Sequence, residues 1–359
     1  MNKKIIFSTG GTGGHIFPAL NLMKHFFEKG YDVLLVTDYR GNNFIKNYSQ
    51  FKSYTLNVNT PSNKNFIKNF FSFFTILFSI IKSIFILKKE KPDLIFGLGG
   101  YVSFPISVAS KIFNLPLLLY ENNLVLGRSN RYLLAFSKKI LIAKNAIKNF
   151  PRKYENKISE VGYVLNKKII NYKFSKDDKN NDNFSILVLG GSQGAEIFGN
   201  IIPKVVNMIK NKGYAISISQ QCIDKQKNIL SDFYDKNGII NYVFKFDENT
   251  IKLFSNSDLA ITRCGASTIA ELTHTLTPFI AVPLPNSINN HQYLNAKFYE
   301  ENGCCFLLEQ KNFTTENLFN LVVKTIEDKN RLKKIRENMK KYYSNDVYIK
   351  IENEIKNFI

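Results

Sequence analysis

Acidic residues are scarce in this sequence, cysteine and histidine are scarcer, and an unbroken apolar run of membrane-spanning length is missing. The 359-residue chain carries 29 Asp and Glu against 49 Lys and Arg, a formal net charge of +20. That imbalance points to a polyanionic surface or ligand: nucleic acid, anionic lipid or a phosphorylated substrate. Enrichment in Lys, Asn, Ile and Phe along the whole chain accounts for part of it. With no RNP-like motif, zinc-finger spacing or arginine-rich arm, nucleic acid is not the expected partner. The four cysteines (Cys222, Cys264, Cys304, Cys305) form no C-x-x-C pair, and nothing ahead of the first apolar run reads as a signal peptide. This excludes a disulfide scaffold and predicts reduced cytosolic thiols. His15, His25, His274 and His291 lie far apart with no H-E-x-x-H, so neither a catalytic metal nor a cofactor is expected.

What is present is glycine in two places. Ile5-Ile6-Phe7 runs into Gly10-Gly11-Thr12-Gly13-Gly14-His15, and a helical pattern follows (Ile16, Ala19, Leu20, Leu22, Met23). A strand breaking into glycines and reopening as a helix lets backbone N–H groups approach an anion, and the helix N-terminus favours negative charge. A tight turn with no ligand is the plainer alternative. The third glycine of a dinucleotide fingerprint would fall at Ile16, and no Gly-Lys-Ser/Thr follows, so the two best-known phosphate loops are excluded. The layout recurs half a chain later, where Ile186-Leu187-Val188-Leu189 breaks into Gly190-Gly191-Ser192-Gln193-Gly194-Ala195. Two such starts, with short apolar runs alternating with helical patterns, predict an α/β chain of two Rossmann-like domains with parallel sheets, facing across a cleft. Ligands of such sheets bind beyond the carboxyl ends of the strands, where His15, Gly100 and Asn123 should gather.

Two further stretches are informative. Phe70 to Ile81 is apolar but for Ser72, Thr75 and Ser79, and sits within a phenylalanine-rich helix predicted over 66–87. Lys82 interrupts it short of the roughly 20 residues a spanning helix needs. It is either a core helix or an interfacial one, with aromatic residues in a membrane and flanking lysines on anionic headgroups. In Arg263-Cys264-Gly265-Ala266-Ser267-Thr268-Ile269-Ala270-Glu271, Ser267 or Thr268 is placed to cap a helix. Glu271 then reads either as a capping-box acid or as the acceptor for a ribose diol.

Five motifs occur in order: Gly10 to Pro18, Gly99-Gly100-Tyr101-Val102-Ser103-x-Pro105, Glu121-x-Asn123, Gly190 to Ala195, and Arg263-x-Gly265-Ala266-x-Thr268-x-x-Glu271. Together they resemble the MurG family, the peptidoglycan N-acetylglucosaminyltransferases of glycosyltransferase family 28, over essentially the whole chain. The resemblance implies the GT-B architecture, with an acceptor- and membrane-binding domain over 1–163 and a UDP-sugar domain over 164–339. A C-terminal helix at about 340–359 is expected to pack back on the first. It also implies an inverting transfer of N-acetylglucosamine from UDP-GlcNAc to the 4-hydroxyl of undecaprenyl-pyrophosphoryl-muramyl-pentapeptide. That reaction belongs at the cytoplasmic face of the cell membrane, with the helix at 66–87 on an anionic surface and no metal in the bond-making step. Another UDP-sugar glycosyltransferase of the same architecture, acting on a glycolipid or small acceptor, is the alternative.

Carried over residue by residue, the resemblance assigns donor contacts to Thr12, Gly13, Gly14, Asn123, Asn166, Ser192, Phe246, Ala266, Ser267, Thr268, Ile269, Ala270, Glu271 and Gln292. It assigns the acceptor pyrophosphate to Gly13, Gly14, Gly99, Gly100 and Tyr101. His15 becomes the candidate base or substrate-orienting residue. The sequence departs from the family pattern where Asn166 stands in place of an arginine and Asn122 in place of a glutamine.

Overall fold

The computed structural model describes the chain except at positions 1, 12, 46, 47, 49, 59–65, 174–182, 192–194, 246, 248 and 249; for 66–69, 71 and 329 it describes the backbone alone. The chain divides into two compact units, Met1–Asn166 with Asn345–Ile359, and Lys167–Ser344.

In the first unit the strands are β1 (Lys4–Ser8), β2 (Asp32–Thr37), β3 (Lys52–Thr55), β4 (Leu94–Gly97), β5 (Leu117–Glu121), β6 (Lys139–Ile142) and β7 (Ile158–Glu160). Among the described residues they form one parallel sheet in the order β3-β2-β1-β4-β5-β6-β7. Ile6, Val36, Ile95, Leu119 and Ile142 are buried beneath covering helices, which is why these strands read as unbroken apolar runs rather than alternating ones. The order reverses between β1 and β4, so the loops after these two strands frame the crevice in which sheets of this kind bind ligands.

The second unit repeats the plan with β8 (Phe184–Leu189), β9 (Ile216–Gln221), β10 (Ile240–Phe244), β11 (Leu259–Thr262), β12 (Phe279–Ala281) and β13 (Phe306–Leu307), ordered β10-β9-β8-β11-β12-β13 and parallel. Its core lies around Val188, Ile218, Ile261, Phe198 and Val322. Here the switch falls between β8 and β11, with Leu189 in register with Thr262.

Two helices of the first unit need comment. The C-terminal helix Val347–Lys356 is tied to the helix Gly13–Glu28 by Glu352, whose carboxylate meets buried His25 Nε2 at 2.6 Å. The helix Phe66–Glu90 has its amphipathicity inverted. Ser72, Ser79 and Ser83 are buried, while Phe73, Phe74, Leu77 and Ile81 are exposed, with Phe78 at 69% and Phe85 at 67%. The serines escape the cost of burying a hydroxyl because Ser79 Oγ donates to Asn57 O at 2.9 Å and Ser83 Oγ to Ser79 O at 2.7 Å. At its C-terminal end, burial opposes ionisation of Glu90, but hydrogen bonds from Lys52 and Tyr54 outweigh it and hold the carboxyl down at about 2. That helix end is pinned. Among the described residues, no helix is long and apolar enough to cross a membrane.

Candidate active site

In the first unit the two glycine turns at the switch point press against each other. Gly99 and Gly100 both have positive φ, 93° and 81°. A Cβ at Gly100 would lie 3.1 Å from the backbone N and O of Gly10, so no other residue lets these two turns meet without a shift. A Cβ at Gly99 would come 3.3 Å from His15 Cε1, which places the imidazole directly on this turn. His15 stands in the first turn of the helix that Gly13 and Gly14 open, and it is half-buried. Asp38, at the end of β2, accepts from the Gly11 N–H at 3.0 Å and the Gly41 N–H at 2.7 Å, fixing the outer side of the loop.

The third side is the segment after β5. Glu121 is buried and accepts from the backbone N–H groups of Asn123 and Gly127 and from the side-chain amides of Asn123 and Asn130, all between 2.9 and 3.1 Å. Asn122 Nδ2 donates to Gly14 O at 2.7 Å, and Asn122 Oδ1 accepts from Asn123 Nδ2 at 2.9 Å. His15, Gly13, Gly14, Gly99, Gly100 and Asn123 are thus brought into one neighbourhood through these contacts. Tyr101 is half-buried at the same turn. Asp38 and Asn122 were not among the residues expected at the site. Pro18 is the signal for Asn122: four residues after Gly14 and lacking an N–H, it leaves the Gly14 carbonyl without its helical donor.

In the second unit the corresponding ends are Gly191 (φ 81°) after β8 and Arg263-Cys264-Gly265 after β11. Thr12, Ser192 and Phe246 lie outside the described residues. The helix Ala266–His274 corrects the expected capping. Its N-cap is Gly265, extended at φ −64° and ψ 138°, with no side-chain cap bond. Ser267 and Thr268 therefore fall inside the first turn, and Glu271 lies too deep in the helix to reach back to the cap. The capping-box reading fails for that reason, and the first-turn amides keep no side-chain acceptor. Ala266, Ile269 and Ala270 are buried, and the Ile269 amide already donates to Gly265 O. Ser267, Thr268 and Glu271 are half-buried. The protein around Glu271 desolvates its carboxyl and pushes it up to about 7.

Gln292 is held by two backbone donors: its Oε1 accepts from Cys264 N at 3.1 Å and Leu284 N at 3.0 Å. Because both partners are N–H groups, the oxygen must face them, which leaves Nε2 as a donor with no partner among the described residues. Asn289 and Asn290, both left-handed at φ near 55°, turn the chain into the helix His291–Glu301 that presents it. Asn166 is exposed at the last position of the first unit's main segment.

These half-sites can be set beside known proteins. Residues 5–142 match the N-terminal domain of glycosyltransferase family 28, and residues 185–348 match its C-terminal domain. A UDP-N-acetylglucosamine--N-acetylmuramyl-(pentapeptide) pyrophosphoryl-undecaprenol N-acetylglucosamine transferase of Pelagibacter ubique is 38% identical over 95% of this chain and 94% of its own length. The transferase of the same name from Rickettsia canadensis is 34% identical over 94% and 95%. The crystal structure of Acinetobacter baumannii MurG superposes with a TM-score of 0.82 at 24% identity, covering 99% of this chain and all of that one; it carries the two-domain GT-B fold. With relatives at this identity along nearly its whole length, and both halves matched by the family's two domains, the chain belongs to the MurG family of glycosyltransferase family 28.

Proposed function

We propose that this chain transfers N-acetylglucosamine from UDP-GlcNAc to the 4-hydroxyl of undecaprenyl-pyrophosphoryl-muramyl-pentapeptide. The observation that carries the reading is the pair of glycine-led strand ends, one at each sheet's switch point, in a chain aligned along its length with transferases of that activity. In the second unit, the open first turn at Gly265 supplies amides to the nucleoside. Glu271 accepts from ribose hydroxyls, and Gln292 Nε2 donates to the sugar. In the first unit, the Gly10–His15 and Gly97–Tyr101 turns take the acceptor pyrophosphate on their backbone N–H groups.

The reaction is a direct displacement. The acceptor oxygen bonds to C1 of the sugar, the bond from C1 to the diphosphate oxygen breaks with its electron pair leaving on UDP, and the hydroxyl proton passes to a base. His15, at the Gly99 turn, takes the role of base or orienting group. Developing charge on the diphosphate falls to fixed backbone dipoles, which need no rearrangement as it forms.

Membrane attachment belongs to the same reading. The outward phenylalanine face of the helix Phe66–Glu90 sits on an anionic surface as a peripheral element, with Lys82, Lys88 and Lys89 beside it. A transfer assay with radiolabelled UDP-GlcNAc and the lipid-linked muramyl acceptor, run on the wild type beside Glu271→Ala, tests the proposal. Turnover by the wild type that falls strongly in the variant supports it, and equal inactivity of both would sink it.

A further inference from the structure

A buried cation in the second unit has no counter-ion among the described residues. Arg263 is 8% exposed, and its guanidinium donates from Nη1 to the carbonyls of Val282 and Pro283 at 3.1 and 3.2 Å and from Nη2 to Gln310 Oε1 at 2.6 Å. All three acceptors are neutral. Among the described residues no carboxylate reaches it: Glu196 pairs with Lys225 at 2.8 Å and Glu309 with Lys311 at 3.5 Å. The adjacent Cys264 does not help, since burial pushes its thiol well above the usual range and keeps it neutral. Burial also lowers the Arg263 pKa, the sign of a charge the protein tolerates at a cost.

Its surroundings offset part of that cost without neutralising the charge. The guanidinium makes a cation–π contact 4.9 Å from the ring of Phe198, which belongs to the first turn of the helix Glu196–Asn211. Among the described residues that helix start has no side-chain cap bond, and the one acid of its first turn, Glu196, is turned to Lys225 at 2.8 Å rather than to the guanidinium. The Arg263 Cβ also lies against the glycine turn, 4.0 Å from where a Gly191 Cβ would stand. A buried arginine with three neutral acceptors thus lies beside a left-handed glycine turn, where an added anion would balance its charge.

We infer that Arg263 is the buried counter-charge for the donor's diphosphate: it acts through the low-dielectric floor of the Gly190–Gly191 turn rather than by touching the ligand, and sets affinity for the charged part of the nucleotide. This rests on the reading of the second unit as the UDP-sugar half. The residue strengthens as the diphosphate gains charge on departure, so it positions the leaving group electrostatically while the backbone amides make the contacts.

The test compares UDP with uridine, which lacks the diphosphate, by calorimetry on the full chain. The variants are Arg263→Met, which removes the charge, Arg263→Lys, which keeps it, and Gln310→Glu, which adds a carboxylate at the 2.6 Å contact without touching Arg263. The expected result is a loss of about tenfold or more in UDP affinity for Arg263→Met and Gln310→Glu, with uridine affinity unchanged and Arg263→Lys close to wild type. Equal weakening of UDP and uridine, or an unchanged UDP-to-uridine ratio, overturns the inference. Should Arg263→Met fail to fold, Gln310→Glu still decides, because it pairs the buried charge instead of deleting it. Wild-type protein that binds UDP no better than uridine would instead overturn the underlying donor-site reading.

Discussion

Asn122 donates its side-chain amide to the carbonyl of Gly14 at 2.7 Å, across 108 positions of chain. The bond exists because Pro18 cannot supply the N–H that would otherwise close the first helical turn on that carbonyl. A helix interior proline thus frees an acceptor at the mouth of the site, and the loop after β5 occupies it. Asn122→Leu should cost about 1 kcal/mol of stability, the penalty for orphaning a part-buried carbonyl, and should slow transfer more than it weakens UDP binding. In a Pro18→Ala background the backbone regains its own donor, so the same change should cost much less. A double-mutant cycle by chemical denaturation checks this, and strictly additive costs would count against the account.

The raised carboxyl of Glu271 gives a prediction about pH. Desolvation raises it from the usual 4.5 to about 7 in the folded chain. A raised acid binds more protons folded than unfolded, so this group contributes stability that is present below 4.5 and lost as pH rises through about 7. With Glu271 as the proposed ribose acceptor, binding runs the other way, because the ionised form accepts better from two hydroxyls. UDP affinity should therefore rise between pH 6 and 8 with release of a proton. In Glu271→Gln both slopes should flatten. Calorimetry in buffers of different ionisation enthalpy measures the proton directly.

The inverted helix Phe66–Glu90 gives a prediction about surfaces. Replacing exposed Phe74 and Phe78 by Asp removes two large apolar groups worth about 1.5–3 kcal/mol each when buried. Sedimentation with phosphatidylglycerol vesicles should drop by about a hundredfold, while thermal unfolding and UDP binding stay near wild type. Unchanged sedimentation would make this face something other than a membrane surface.

Two glycines in the first unit should behave oppositely. Gly100→Ala combines a φ of 81° with a methyl 3.1 Å from the Gly10 backbone, so it should destabilise the unit by about 1–3 kcal/mol. A Cβ at Gly14 would meet nothing within 4 Å, so Gly14→Ala should fold normally. If the space beside Gly14 receives substrate, that variant should nevertheless raise the KM for the acceptor. Thermal midpoints and acceptor titrations on the two variants distinguish these effects.

Much of the architecture was legible because local signals agreed with the global fold. Apolar runs too short for helices, each ending in glycine or a polar turn, correspond to the central parallel strands, and the recurrence of Gly10-Gly11 as Gly190-Gly191 corresponds to two sheets with one plan. Relations between distant residues were not legible. The cap at Gly265 depends on one residue taking an extended conformation, which Ser267 and Thr268 masked because their side chains favour caps. The helix at 66–87 read as either core or interfacial, and its serine-inward orientation is seen only with Asn57, whose carbonyl accepts from Ser79 Oγ. Arg263 looked like one letter of a motif; its lack of a counter-ion is visible only when Val282, Pro283 and Gln310 are seen around it.

The most direct measurement is the transfer of N-acetylglucosamine from UDP-GlcNAc to undecaprenyl-pyrophosphoryl-muramyl-pentapeptide, followed with wild type, His15→Ala and Glu271→Ala under identical conditions. The account predicts turnover by the wild type, loss of at least about a hundredfold in kcat for His15→Ala with UDP affinity retained, and a raised donor KM for Glu271→Ala. Folded wild-type protein that binds UDP but transfers no sugar to this acceptor, or a His15→Ala variant as active as the wild type, would contradict it.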